Sequence, residues 1–168
     1  MTDSVTLVAR TIYLAADHAG FVHKETIRDW LESENYIVID SGAYVIDAED
    51  DFTDVVARAA IAVSQAPDAR AAIIFGGSGQ GEAMMANRFP GVRATVFYGG
   101  DDSIITLSRE HNDANVLSIG ARYVTIDESK RVIWNWLHGP TSVIEKYKRR
   151  NKRLDILAPV KPAVAPRL

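Results

Sequence analysis

The chain has 168 residues, 47% of them hydrophobic and 24% charged, with a net charge of −3 at neutral pH. That length suits one domain with a sizeable core, and the weak negative charge points to no nucleic-acid or membrane partner. Cysteine is absent, which excludes disulfides, thiolate-held metal and a thiol nucleophile, and fits a cytoplasmic location. No apolar run approaches the roughly 20 residues of a membrane-spanning helix, and no basic-then-apolar leader opens the chain.

In chain order, short apolar runs alternate with amphipathic segments. Residues 12–16 predict a first strand, and 21–31 a helix with Ile27, Trp30 and Leu31 on one face. Residues 36–39 predict a second strand and 54–63 a second helix; 71–75 form a third strand and 82–88 a third helix. A fourth pair spans 93–97 and 103–110, and a fifth 116–119 and 128–137. Strands spaced by helices imply right-handed crossovers and a parallel sheet covered on both faces. The expected fold is therefore α/β: a three-layer, doubly wound, Rossmann-like five-stranded parallel sheet, with ligands beyond the carboxyl ends of its strands. Residues 141–156 predict an extra, basic C-terminal helix. Residues 1–157 read as one domain, and 158–168, with three prolines, as a flexible tail.

The third strand runs into Gly76-Gly77-Ser78-Gly79-Gln80-Gly81-Glu82. Four glycines within 76–81 are more than a tight turn requires. Backbone amides without Cβ atoms in front of them approach an anion closely, and a helix N-terminus adds partial positive charge. Such a loop favours a phosphate or an oxyanion, with the carboxylate of Glu82 beside it to take a proton. Other polar residues sit near strand ends: Asp17 and His18 after the first, His111, Asn112 and Asp113 before the fifth, and Arg122 after it. Each has an ordinary role open to it. Asp17 suits a helix cap, Glu82 a first-turn acid complementing the helix dipole, and His18 and His111 a solvated surface. Met84 and Met85 suit the core or a pocket lining. The run from Lys146 to Arg153 suits a solvated face, although Arg149 and Arg153, four apart, share a helical face that can grip a phosphate. Their joint occurrence is what separates a site from these readings.

The motifs Ala16-Asp17-His18-Ala19-Gly20-Phe21, Gly77-Ser78-Gly79-Gln80-Gly81, Ala86-Asn87-Arg88-Phe89-Pro90-Gly91-Val92-Arg93-Ala94, Ser108-Arg109-Glu110-His111-Asn112-Asp113-Ala114-Asn115-Val116-Leu117 and Gly120-Ala121-Arg122 together resemble the type B ribose-5-phosphate isomerase family, which includes galactose- and allose-6-phosphate isomerases. The resemblance covers residues 12–157. It implies an aldose–ketose isomerase working through a cis-enediol(ate), without metal or cofactor. Many members carry a cysteine base where this chain has Gly76; a subset lacking it resembles this chain and uses the glutamate at the position of Glu82. The resemblance further implies an oxyanion hole from the amides of Gly77, Gly79 and Gly81, and Ser78 at the reacting hydroxyl. Asp17 and His111 would open the furanose ring, and Asn112 would bind a substrate hydroxyl. His18, Arg122, Arg149 and Arg153 would surround the phosphate, the last two from a second subunit of a homodimer, which can pair into a tetramer.

Two departures bear on the sugar. Relatives carry Asp-Tyr-Pro where this chain has Asp51-Phe52-Thr53, and the segment around Tyr98–Asp102 is about two residues longer than theirs. They leave open, beside a ribose 5-phosphate isomerase, a sibling acting on a tetrose or hexose phosphate; the missing cysteine leaves open a silent sugar-phosphate-binding module, and a flavodoxin-like nucleotide binder is the weakest alternative.

Overall fold

The structure, a computed structural model, describes residues 11–157. The amino-terminal segment and the expected 158–168 tail lie outside the described residues. The elements follow in the order β1 (Thr11–Ala16), α1 (Phe21–Ser33), β2 (Val38–Asp40), α2 (Phe52–Gln65), β3 (Arg70–Gly76), α3 (Gln80–Ala86), β4 (Ala94–Phe97), α4 (Ser103–Asn112), β5 (Val116–Gly120), α5 (Ile126–His138) and α6 (Glu145–Leu157). All five strands are parallel, in the order β2-β1-β3-β5-β4. The doubly wound architecture is as expected, and its central strands β1, β3 and β5 lie side by side.

The two-residue period of the strands divides the core. Ile12, Leu14, Ala71, Ile73, Phe75, Leu117 and Ile119 face α1, α4 and α5, meeting Ile27, Leu31, Ile105, Val132, Ile133 and Trp136. Ala15, Ala72, Ile74 and Val116 face α2 and α3, meeting Val56, Ala59, Ala60, Val63, Ala86 and Phe89. Each large aliphatic or aromatic side chain so enclosed contributes about 1.5–3 kcal/mol. This alternation puts position 76, like 72 and 74, on the α2/α3 side of the sheet.

Several boundaries differ from the sequence reading for local reasons. The second strand is Val38–Asp40, not 36–39, because the Tyr36 amide still donates to Leu31 O at 3.0 Å and belongs to the turn leaving α1. Helix α3 starts two residues early, at a left-handed Gly79 (φ 76°), and stops at Ala86 because Asn87 clasps Ala94 through both its amide and its carbonyl, at 3.0 and 2.8 Å. The basic helix begins at Glu145: residues 141–144 follow Pro140, and Ser142 Oγ takes the Ile144 amide at 3.0 Å in place of a helical acceptor. Met84, expected in the core or a pocket lining, is 64% exposed, whereas Met85 packs against the core.

One buried position is unlike the rest. Lys24 shares the inward face of α1 with Ile27 and Leu31 and is 0% exposed. Its ammonium reaches Asp40 Oδ2 at 2.6 Å and Glu25 Oε1 at 2.9 Å, and lies 5.3 Å from the Phe21 ring centroid. A buried cation is tolerated only when paired in this way. The pairing ties α1 to the end of β2.

Candidate active site

The carboxyl ends of β1, β3 and β5 form one cluster. Its centre is the turn from β3 into α3. The carbonyls of this turn are tied back to β5 and its exit: Gly76 O accepts from the Ala121 amide at 2.8 Å, Gly77 O from the Arg122 amide at 3.1 Å, and Gly79 O from Ser118 Oγ at 2.6 Å. These bonds turn three of the loop's carbonyls toward β5 and away from the face an anion would meet. Close approach explains the glycines: a Cβ on Gly120 would come within 2.6 Å of Ser78 O, and one on Gly20 within 2.5 Å of the Phe75 backbone.

Gly76 has a different explanation. A Cβ there would overlap the carboxylate of Glu82. The glutamate, in the first turn of α3, folds back over the end of β3 and fills the place of the missing side chain. Glu82 is 4% exposed. Burial pushes its carboxyl above the ordinary range, its own backbone amide opposes this, and the nearby charge of Asp17 raises it further. Desolvation thus outweighs the backbone hydrogen bond, and the direction of the shift was not legible in the sequence. A carboxylate raised in this way is a better proton acceptor than one in water.

Asp17, 8% exposed, takes the Gly20 amide on Oδ1 at 3.0 Å, so it does act as a turn acceptor ahead of α1. Beside it, His18 Nδ1 lies 2.7 Å from Asp50 Oδ1, in the connection between β2 and α2. That hydrogen bond raises the His18 pKa; partial burial opposes it, Asp17 and the Asp50 charge add to it, and Arg122 subtracts. The Arg122 guanidinium lies over Gly77, 3.2 Å from where a Cβ would stand. The Phe52 ring covers Gly81 at 3.0 Å by the same measure, and Tyr98 abuts Gly120. Asp17, His18, Gly77, Ser78, Gly79, Gly81, Glu82 and Arg122 thus belong to one edge of the sheet.

The other four candidates do not join them within the chain. His111 and Asn112 end α4, which runs back to the amino ends of the strands, and the whole of β5 separates them from Gly120. Four residue steps amount to about 13 Å. The imidazole of His111 stacks on Tyr147 of α6, ring centroids 4.2 Å apart, and its carbonyl accepts from Asn151 Nδ2 at 3.1 Å. Arg149 and Arg153 are exposed on this same helix, which has no buried residue. Asn112 also lines a cavity of about 440 Å³, shared with Phe89, Val92 and Leu154. That cavity lies away from the glycine loop.

The sequence reading did not single out Asp50, Ser118 or Lys24. Lys24 carried a signal, since it stands three and seven residues before Ile27 and Leu31 on an apolar stripe. Asp50 and Ser118 carried none, because their partners are 32 and 39 residues away. No group of three or more His, Asp or Glu residues suited to a metal ion occurs among the described residues, and none of their helices is long and apolar enough to cross a membrane.

A parallel sheet with a glycine loop, a buried carboxylate and flanking cationic groups at one edge is suited to proton transfer on a small anionic substrate. The sequence profile of the family described as Ribose/Galactose Isomerase matches residues 12–156, and the chain belongs to that family. It is 37% identical over 147 residues to a ribose-5-phosphate isomerase B of Mycolicibacterium paratuberculosis, covering 88% of this chain and 89% of that protein. The Escherichia coli protein of the same name is 33% identical over 128 residues, 76% of this chain and 83% of that one. Among solved structures, ribose-5-phosphate isomerase B from Mycoplasma genitalium with bound ribulose-5-phosphate superposes with a TM-score of 0.83 at 29% identity, covering 89% of this chain and 97% of that chain.

Proposed function

We propose that this chain interconverts ribose 5-phosphate and ribulose 5-phosphate through a cis-enediol(ate), with Glu82 as the base. The observation that carries the reading is the buried Glu82 carboxylate occupying the place of a side chain at position 76, beside the glycine loop. In the forward direction Glu82 takes the proton from C2 of the open-chain aldose, and the electron pair moves onto the C1 carbonyl oxygen. Amides of Gly77, Gly79 and Gly81 stabilise that oxygen, at about 3–4 kcal/mol per donor in comparable sites. The O2 hydroxyl proton passes to O1 with help from Ser78, and Glu82 returns its own proton to C1. Enclosure keeps that proton from exchanging with solvent.

His18 and Arg122 bind the phosphate from this subunit. His111, Asn112, Arg149 and Arg153 are too far from the same loop, so they act from the partner subunit of a homodimer. Asp17 of one subunit and His111 of the partner subunit then open the sugar ring. This changes the sequence reading, which drew only the two arginines from the second subunit.

A second reading, preference for another sugar phosphate, has its own motive: Phe52 covers Gly81 with a ring that lacks a hydroxyl. A coupled assay with ribose 5-phosphate, run beside Glu82→Gln, tests the main reading. Turnover that is lost in the variant supports both reaction and base. No turnover of ribose 5-phosphate by the wild type, with turnover of a tetrose or hexose phosphate, transfers the chemistry to that sugar.

A further inference from the structure

His18 is held from outside the segments that build the rest of the site. Asp50 Oδ1 meets its Nδ1 at 2.7 Å, with the two side chains 32% and 13% exposed. The second oxygen, Asp50 Oδ2, is shut away from solvent with no hydrogen-bond partner among the described residues. An enclosed carboxylate with one idle oxygen is costlier to keep than an amide or hydroxyl of similar size. Fold stability alone therefore does not account for an aspartate here.

The segment that carries Asp50 is anchored firmly at its start. Ser41 N donates to Leu14 O at 2.7 Å, Ala16 N to Gly42 O at 2.8 Å, and Ala43 N to Ala16 O at 2.8 Å. Arg58 Nε donates to Ser41 O at 2.7 Å, and Asp40 takes both the Gly42 amide and the buried Lys24. At its far end Asp50 N donates to Asp47 O at 3.1 Å, immediately before α2. These contacts fasten the segment to the last residue of β1, next to Asp17 and His18. The imidazole is thus held by a carboxylate at the far end of this segment, immediately before α2.

We propose that Asp50 is a positioning residue for phosphate recognition, fixing the His18 ring through Nδ1 so that Nε2–H is presented to the phosphoryl group beside Arg122. A carboxylate on one ring nitrogen sets the tautomer and makes the other nitrogen a donor. It also favours the imidazolium, whose charge-assisted bond to a phosphate dianion is stronger than that of neutral histidine. Asp17 acts in the same sense and Arg122 against it; these, with Asp50, are the charged groups acting on His18 among the described residues. The inference rests on the reading of His18 and Arg122 as phosphate ligands.

The test is an NMR titration of His18 in full-length wild type and Asp50→Asn, with inorganic phosphate as the probe and His18→Asn to assign the signal. In Asp50→Asn the His18 midpoint should fall, and phosphate affinity should drop about 5-fold at pH 8 while staying near wild type at pH 5.5, where both imidazoles are charged. KM for ribose 5-phosphate should follow phosphate affinity, with kcat changing less than about 2-fold. The ratio of variant to wild type at each pH cancels the ionisation of the phosphate itself. An unchanged His18 midpoint, or an equal loss of affinity at every pH, would overturn the assignment. Should Asp50→Asn not fold, the wild-type titration decides: a midpoint at or below the ordinary histidine value of about 6.5 refutes it. A wild type that binds phosphate in this pH-dependent way yet turns over neither ribose 5-phosphate nor a tetrose or hexose phosphate would refute the isomerase reading and leave the role of Asp50 standing.

Discussion

At the carboxyl edge of the sheet the chain is enclosed and turned through glycines, with Asp17 and Glu82 buried beside a loop whose carbonyls are already engaged. At the amino edge, α6 lies along α4 with no buried residue, exposing Lys146, Lys148, Arg149, Arg150, Lys152 and Arg153. The first region concentrates desolvated acid and rigid backbone, and the second mobile-headed cations that water covers in the isolated chain. A phosphorylated sugar needs both kinds of surface, a proton acceptor excluded from water and enough positive charge for a dianion. One subunit holds them a strand length apart, and the difference teaches why the proposed function draws the second surface from another copy.

Removing the acid has the largest effect. Glu82→Gln should lower kcat by at least ~10²-fold. The sign of its effect on stability also distinguishes the two edges. A carboxyl group whose pKa is raised by folding favours the folded state while protonated and loses that favour as pH rises past its unfolded value. The Tm of the variant relative to wild type should therefore rise as pH climbs past the ordinary carboxyl range and level off once Glu82 is ionised in the folded state, as calorimetry would reveal. A Tm difference that does not change with pH would mean that the carboxylate is not desolvated as described.

Next in size is the division of labour between copies. Arg153→Ala should chiefly raise KM, and mixing it with Glu82→Gln under verified subunit exchange should restore about a quarter of the wild-type sites, since half the dimers are hybrids with one intact site each. No recovery would place both groups in the same subunit. A smaller effect is expected at Ser118, whose hydroxyl donates to Gly79 O. Ser118→Ala should cut kcat several-fold by loosening the oxyanion loop, with a stability cost of about 1 kcal/mol. Least consequential is Thr125→Ala at the start of α5, where Thr125 and Glu128 form a capping box. It should cost about 1 kcal/mol in denaturant melts and leave kcat/KM unchanged.

Much of this was legible in the sequence, and unevenly so. The strands at 12–16, 71–75 and 116–119 could be read because central strands of a parallel sheet are apolar on both faces, and the glycine run after 75 marks its own turn. Short β2 was harder: Tyr36 is apolar enough to look like strand but is held by the end of α1. The acid at 82 was legible by position, yet its pKa direction was not, because that depends on how completely α2 and α3 cover position 76. His111 showed the limit most plainly. Its neighbours in sequence mark it as functional, but only the direction of α4 reveals that it faces away from Asp17. Asp50 and Ser118 escaped entirely, since a side chain that serves a distant segment leaves no periodic trace.

The overlap between Glu82 and the space at position 76 also bears on chemical durability. A thiolate at such a position would be open to peroxide, passing through sulfenic to sulfinic acid, and to any electrophile small enough to follow the sugar. This chain offers no sulfhydryl there or anywhere else; a carboxylate is inert to peroxide and a weaker nucleophile than a thiolate toward alkylating reagents. The protein should keep this site intact through oxidative bursts and thiol-selective reagents that silence a cysteine-dependent counterpart of the same fold.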